Sequence, residues 1–384
     1  MPTGVRTTAN VAAEQRAIDM SDPILDLEPD SVPLTVITKK ISKSSAKDVK
    51  IQWEESELGA RYTQVNNGAG YVSGATSIVV DSGAVAAPKN VIVSVPRTGE
   101  LMFVTGISTN TWTVTRGFAG STAAALVDDD PLFVIGSAAE EYSMVPDPVS
   151  PNPVNVFNYL QIFRKSMGAS GTWMSSDNLT KPLDWKWQSK QLAIEHAKDI
   201  EHALLFGRPS AGTGADGRPI WTTGGLNYFL ANNRLAVGGA LTQTNLDTWM
   251  LDVCRYGSVK TLFASGKVMA AINGFAVGKL QIEQGENTYG LRVQQYIGPH
   301  GTLNLIRHPL LEGAIYGGYA FAVDMKRRIE FKYLDGGDGP SRDTKLLTNR
   351  QEPGRDGQID ELLTQAGLLL GNPKAHGVLT GVTG

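Results

Sequence analysis

The chain has 384 residues, 35 Lys and Arg against 38 Asp and Glu, and a formal net charge of -3, a balance that excludes a strongly basic nucleic-acid binder and a cationic membrane-surface protein. Its single cysteine, Cys254, excludes a disulfide within the chain and a zinc site built from cysteines. No run reaches the roughly 18 apolar residues of a membrane span, the first ten residues carry no apolar signal core, and the length predicts two or three domains around a large core.

Residues 1–35 read as an extended arm. Pro23, Pro29 and Pro33 argue against a long helix there, and Asp19, Asp22, Asp26, Glu28 and Asp30 make its second half acidic. Lys39, Lys40, Lys43, Lys47 and Lys50 follow as a basic run. Acidic and basic stretches are expected to lie side by side between neighbouring copies, and deletion of 1–35 is expected to leave the subunit fold intact.

Residues 48–58 alternate Val49, Ile51 and Trp53 with polar residues, a strand pattern, and 155–174 form a second extended stretch. Between them, 66–140 hold strand candidates at Thr76–Val80, Asn90–Val95, Glu100–Ile107, Thr111–Arg116 and Pro131–Ile135, separated by Gly, Pro, Asn and Asp turns. Such a module between two strands reads as an insertion at the tip of a long hairpin.

Pro182–Gly207 predicts one helix of about 37 Å, opened by Pro182 and stopped by Gly207 and Pro209. Trp185, Leu192, Ala193, Ala197, Ile200, Ala203 and Leu204 form its apolar stripe. Glu195, Lys198 and Glu201 read as a charged outer face. Beyond it, Arg208–Pro219 reads as a glycine-rich loop. Thr242–Tyr256 and Ser265–Leu280 read as helices. Val259–Phe263, Leu291–Ile297, Thr302–Ile306, Ala314–Val323, Arg328–Tyr333 and Gly367–Leu370 read as strands, and 335–357 as a mobile loop.

No motif carries a reaction. Gly212-Thr-Gly-Ala-Asp-Gly217 matches G-x-G-x-x-G, but it leaves a helix and meets Arg218-Pro219, so it reads as a connector and not as a dinucleotide loop. His196 and His202 share a helix six residues apart and face different ways, which argues against a shared metal. Asp128-Asp129-Asp130 lacks calcium-loop spacing and reads as a solvated turn. No G-x-S-x-G elbow is present; His300 and His308 flank a strand in structural roles, and Lys326-Arg327-Arg328 reads as a guarded strand edge. The expectation is no catalytic, cofactor-binding or metal-binding residue, no cofactor, and no enzyme.

What remains is an order of parts: arm, hairpin with insert, long helix, α/β domain, terminal strand. Together with Ile51-Gln-Trp-Glu-Glu-Ser-Glu-Leu58, Glu100-Leu-Met-Phe-Val-Thr, Thr113-Val-Thr-Arg-Gly117, Asn158-Tyr-Leu-Gln-Ile-Phe163, Gly224-Gly-Leu226 and Asn372-Pro-Lys-Ala-His-Gly377, it resembles the major capsid proteins of tailed bacteriophages, with the Hong Kong ninety-seven fold. The closer likeness is to the branch with a β insertion in the extended loop. The resemblance implies an α+β fold: arm 1–47, extended loop 48–65 and 141–181, insertion 66–140, spine helix 182–210, a mainly axial domain 211–325, and return strands 326–384. It implies a virion protein, assembled in the host cytoplasm, whose pentamers and hexamers close an icosahedral shell around double-stranded DNA without reading its sequence. The implied partners are further copies, a portal, and decoration or scaffolding proteins, with no membrane. The alternatives are an encapsulin-like compartment and a tail-associated carbohydrate-active enzyme.

Overall fold

A computed structural model describes residues 32–56, 59–82, 90–144, 152–176, 181–279, 294–326, 329–335 and 340–383. The chain divides into two compact units, residues 54–156 and the remainder. Strands Lys50–Glu55 and Val154–Tyr159 pair with each other and carry the chain from one unit to the other and back.

The larger unit holds two main sheets. In the first, the order is Lys43–Ala46, Ile329–Leu334, Gly357–Leu370 and Gln161–Ser170. Only the first pair is parallel. Gly357–Leu370 is the axis of this sheet. It matches Gln161–Ser170 along its whole length, from Gly357↔Ser170 to Ala366↔Gln161. On its other edge it takes Ile329–Tyr333 and the short strand Lys345–Leu347. The expected loop 335–357 is therefore partly strand over its described residues. It is also fastened by Arg342 N–H to Leu334 O and by Gln365 N–H to Arg342 O.

The second sheet runs Arg234–Gly239, Gly377–Val382, Ala320–Val323, Val259–Ala264, Gly301–Arg307, Gln294–Gly298. Strand alternation sends successive side chains to opposite faces. Leu262, Leu305, Ala322 and Leu379 enter a core with Leu246, Trp249, Met250 and Val253 of helix Gln243–Val253 and Val268 and Ile272 of helix Gly266–Lys279. Their neighbours Phe263, Ile306, Val323 and Val378 enter a different core. That second core also takes Ile200, Leu204 and Leu205 of the long helix and Phe331, Leu368 and Leu370 of the first sheet.

The long helix spans Lys181–Phe206, as its caps and stripe predict. Burial is concentrated at its C-terminal end: Ile200 and Leu204 are buried, whereas Ala193 of the expected stripe is exposed. The expected strand Ala314–Val323 is corrected. Gly313–Tyr316 is a helical turn entered through Gly313 at φ 79°, and only Ala320–Val323 is extended. Arg208–Pro219 is also more ordered than a connector, because Ser210–Thr213 pairs with Pro219–Thr222 as a hairpin. Strands Arg234–Gly239 and Gly377–Val382 lie outside the sequence expectations.

The smaller unit is a closed six-stranded barrel. Its order is Tyr62–Gln64, Pro131–Ser137, Val91–Val95, Glu100–Ser108, Thr111–Thr115, Ser77–Val79. The ring is completed where Val65 bridges Val80, Asn66 N–H donates to Val79 O and Asp81 N–H donates to Gln64 O. Closure removes the free edges an open sheet presents to other chains. Val65, Ile78, Val93, Met102, Trp112, Val114 and Leu132 fill the interior.

Truncating Ile200 to Ala deletes apolar volume from the core that joins the long helix to both sheets. The expected loss is about 2–5 kcal/mol of subunit stability. A urea melt unchanged within error would refute this assignment of the helix face.

Candidate functional site

The chemically densest centre of the larger unit surrounds Glu201, in the last two turns of the long helix. The spacing Glu195, Lys198, Glu201 predicts a solvated face, yet Glu201 is fully buried. Its partners come from far away in sequence. Residues Pro33–Ile41 form a helix whose first position is Pro33, where a missing N–H costs nothing. The next two amides point at the carboxylate. Leu34 N–H donates to Oε1 at 2.7 Å and Thr35 N–H to Oε2 at 2.7 Å. The Thr35 hydroxyl also donates to Oε2.

His308, just past strand Gly301–Arg307, closes the site, with its Nε2 2.8 Å from Oε1. Its Nδ1 accepts Leu310 N–H at 3.3 Å, which places the ring proton on Nε2. Glu201 thus satisfies the orphan amides of a helix start and faces the positive end of its dipole.

The arm is thereby corrected. It is helical from Pro33, while the acidic residues Asp19 to Asp30 lie outside the described residues. Lys39, Lys43 and Lys50 are engaged within their own chain. Lys39 Nζ donates to Thr344 Oγ1 at 3.2 Å and lies over the Phe331 ring. Lys43 pairs with Asp343 and lies over Tyr333. Lys50 lies over Phe157. Burial lowers the Lys39 pKa, opposed by the nearby Asp343.

Other sequence candidates have local duties. His196 is buried with Nε2 2.7 Å from Thr364 Oγ1, and burial lowers its pKa. His202 and His300 are exposed. The Gly212–Gly217 stretch turns the hairpin, with Gly217 at φ 73°. Cys254 is half-buried and burial raises its thiol pKa. Lys326 is exposed, and Arg327 and Arg328 lie outside the described residues. Among the described residues no His, Cys, Asp or Glu group has the geometry to hold a metal, and no helix is long and apolar enough to cross a membrane.

In the barrel, two ion pairs pin the loop 117–130. Arg116 grips Glu100 through Nε at 2.6 Å and Nη2 at 2.7 Å, with both side chains almost wholly buried. Ala124 N–H and Gly117 N–H complete the carboxylate shell, and Arg116 also reaches Ala124 O. Arg97 makes a second fork onto Asp130 at 2.6 Å for both contacts, and reaches Ala125 O. Asp130 is therefore no solvated turn residue. Asp128, however, is exposed and accepts Asn67 N–H.

Removal of Leu34 and Thr35 strips Glu201 of three donors. A chain starting at residue 36 is expected to lose about 3–5 kcal/mol relative to one starting at residue 32, since a buried charge is left underpaired. Denaturant melts of the two truncations check this, and equal midpoints would refute it. The intact fold expected after deletion of 1–35 is revised accordingly.

The barrel carries a pH prediction. For Glu100, burial opposes ionisation, but Arg116 and the two amides outweigh it and hold the carboxyl below its usual range. For Asp130, the bond from Arg97 acts in the same direction. A carboxyl with a depressed native pKa stabilises the fold above its unfolded pKa, and that contribution disappears as pH falls through the native value. Barrel stability is expected to drop on acidification below about pH 4–5. Arg116→Gln should flatten the dependence in urea melts at stepped pH, and an unchanged slope would refute it.

Comparison places these features in context. A family model described as SU10 major capsid protein matches residues 1–383. The chain is similar to the major capsid protein of Pseudomonas phage PaMx41, 27% identical over 316 residues, covering 74% of this chain and 73% of that one. Among solved structures it is similar to the capsid of a native GTA particle, at 10% identity over 98% of both chains with a TM-score of 0.50. A chain from Mycobacterium phage Bobi matches at 10% identity, over 98% of this chain and 99% of that one, also with a TM-score of 0.50. At such identities the two structures show a shared fold alone, of phage-capsid type.

Proposed function

The chain belongs to the SU10 major capsid protein family, and from that premise we infer how its parts serve a shell. It is a phage major capsid protein, a component of the virion capsid that assembles as an oligomeric shell. The observation that carries this conclusion is the family match over residues 1–383.

The finer reading is that pentamers and hexamers of the chain close an icosahedral head around double-stranded DNA. Contact with DNA is sequence-independent, as suits a subunit of net charge -3. A portal occupies one vertex, with scaffolding or decoration proteins as further partners. Residues 1–47 serve as the arm, 48–65 and 141–181 as the extended loop, 66–140 as the insertion, 182–210 as the spine, 211–325 mainly as the axial domain, and 326–384 as the return. Many modest contacts engaged together give the shell its strength. The role is structural and not enzymatic. An encapsulin-like compartment and a carbohydrate-active tail enzyme are both disfavoured by the family match.

The full chain, expressed and concentrated, is expected to form closed particles in negative-stain electron micrographs. A purely monomeric protein under those conditions would overturn self-assembly.

A further inference from the structure

Asparagine followed by glycine occurs twice in the chain, at Asn67-Gly68 and at Asn273-Gly274. The dipeptide is chemically labile, because a glycine nitrogen has no neighbouring Cβ to hinder its approach to the preceding side-chain amide. The two copies sit in opposite kinds of backbone. Asn273 and Gly274 lie inside helix Gly266–Lys279, where the ladder commits the Gly274 N–H to the carbonyl four residues back. Asn67 and Gly68 lie in a turn of the barrel.

Asn67 builds that turn. Its carbonyl accepts Gly70 N–H at 2.7 Å, which sets Gly68 and Ala69 at the corners. Its Oδ1 accepts Ala69 N–H at 3.2 Å, the bond an asparagine makes to the residue two on. Its Nδ2 donates to Gly70 O at 2.7 Å, and its own N–H donates to Asp128 Oδ1 at 2.8 Å. These bonds use the amides of Asn67, Ala69 and Gly70, and the Gly68 N–H has no acceptor among the described residues. The bond from Ala69 swings Asn67 Cγ alongside the Asn67-Gly68 peptide and draws electron density out of it. Gly68 and Ala69 are exposed, so water reaches the turn.

We propose that Asn67 is a self-modification site, converted in the folded chain to aspartate and isoaspartate through a cyclic imide. The Gly68 nitrogen gives up its proton and bonds to Asn67 Cγ. The Cγ–Nδ2 bond breaks, and Nδ2 leaves with that proton as ammonia. Water then opens the imide. Attack at Cγ gives aspartate, and attack at the backbone carbonyl carbon of residue 67 gives isoaspartate, with one extra carbon in the main chain. The sum is one water in and one ammonia out. Either product is a carboxylate, which cannot donate to Gly70 O and stands beside exposed Asp128 as a like charge. The turn between the Val65–Val80 bridge and the Tyr71–Leu126 bridge is thereby loosened. The reaction needs no assembly. Its consequence for a particle rests on the shell reading: every copy gains a negative charge with age, and no enzyme is required.

The test is peptide mapping of the full chain, kept folded in heavy-oxygen water at physiological pH and temperature and sampled over weeks. The amide-to-acid mass change, with one heavy oxygen taken up, is expected at Asn67 and not at Asn273, and part of the product is expected as isoaspartate. In urea both asparagines are expected to convert, because the helix no longer shields Asn273. Gly68 has no positive φ and a Cβ added there meets nothing within 4 Å, so Gly68→Ala keeps the turn; it is expected to cut conversion at Asn67 to the level of folded Asn273. Asn67→Ser retains an acceptor for Ala69 N–H without a leaving amide, and is expected to show no mass change at that position. An Asn67 that stays intact in the folded chain overturns the proposal. So does equal conversion of Asn67 and Asn273 in the folded chain, which would trace the reaction to unfolded molecules. Conversion undiminished in Gly68→Ala, or a product free of isoaspartate, would mean direct hydrolysis of the side chain and overturns it as well.

Discussion

A carboxylate withdrawn from water needs a donor for every lone pair, and Glu201 finds its donors in two distant stretches of sequence. Two amides and a hydroxyl come from the first turn of Pro33–Ile41, and an imidazole follows the strand Gly301–Arg307. An isolated buried charge costs several kcal/mol, so the arrangement is stable only when all of these segments are in place. The clasp therefore fixes where the chain enters the larger unit. Strand Lys43–Ala46 follows the clasped helix directly and joins the first sheet in parallel register with Phe331–Leu334. Lys39 and Lys43 then settle on the aromatic rings of that same sheet.

Around this point the larger unit is organised by one sheet with two buried faces. Alternation along Val259–Ala264 and Ala320–Val323 feeds two cores at once, one under the helices and one under the long helix. The barrel solves a different problem. It has one interior, no free edge along its ring, and loops held by arginine forks.

The sequence makes legible those elements whose causes are local. The long helix has its caps, stripe and stop within one stretch, and the barrel strands are separated by turn residues. Glu201 was invisible for the opposite reason. Its spacing from Lys198 is that of a solvent-facing pair, and its partners lie 166 and 167 residues away. Pro33 was read as a helix breaker because position within a helix decides its effect: at the first residue it starts one. Gln358, Asp360, Glu361, Thr364 and Gln365 break the apolar pattern of Gly357–Leu370, of which only Gly367–Leu370 was expected as strand. Glu361 is tolerated because Arg164 reaches it from across the sheet, and Asp360 because Asn349 N–H and the Gln358 amide donate to it.

The place of Gly377–Val382 has a consequence for how the molecule is made. This strand lies between Arg234–Gly239 and Ala320–Val323, so the interior of the second sheet is supplied by a late segment. Ribosomes add about 5–20 residues per second, so Arg234–Gly239 waits roughly 7–30 s for its neighbour. For roughly the last 3–12 s of that interval, once it has been made, Ala320–Val323 presents an unpaired, wholly apolar edge. In a host making many copies on clustered ribosomes, nascent chains meet one another with that edge open, and speed of synthesis becomes a determinant of yield.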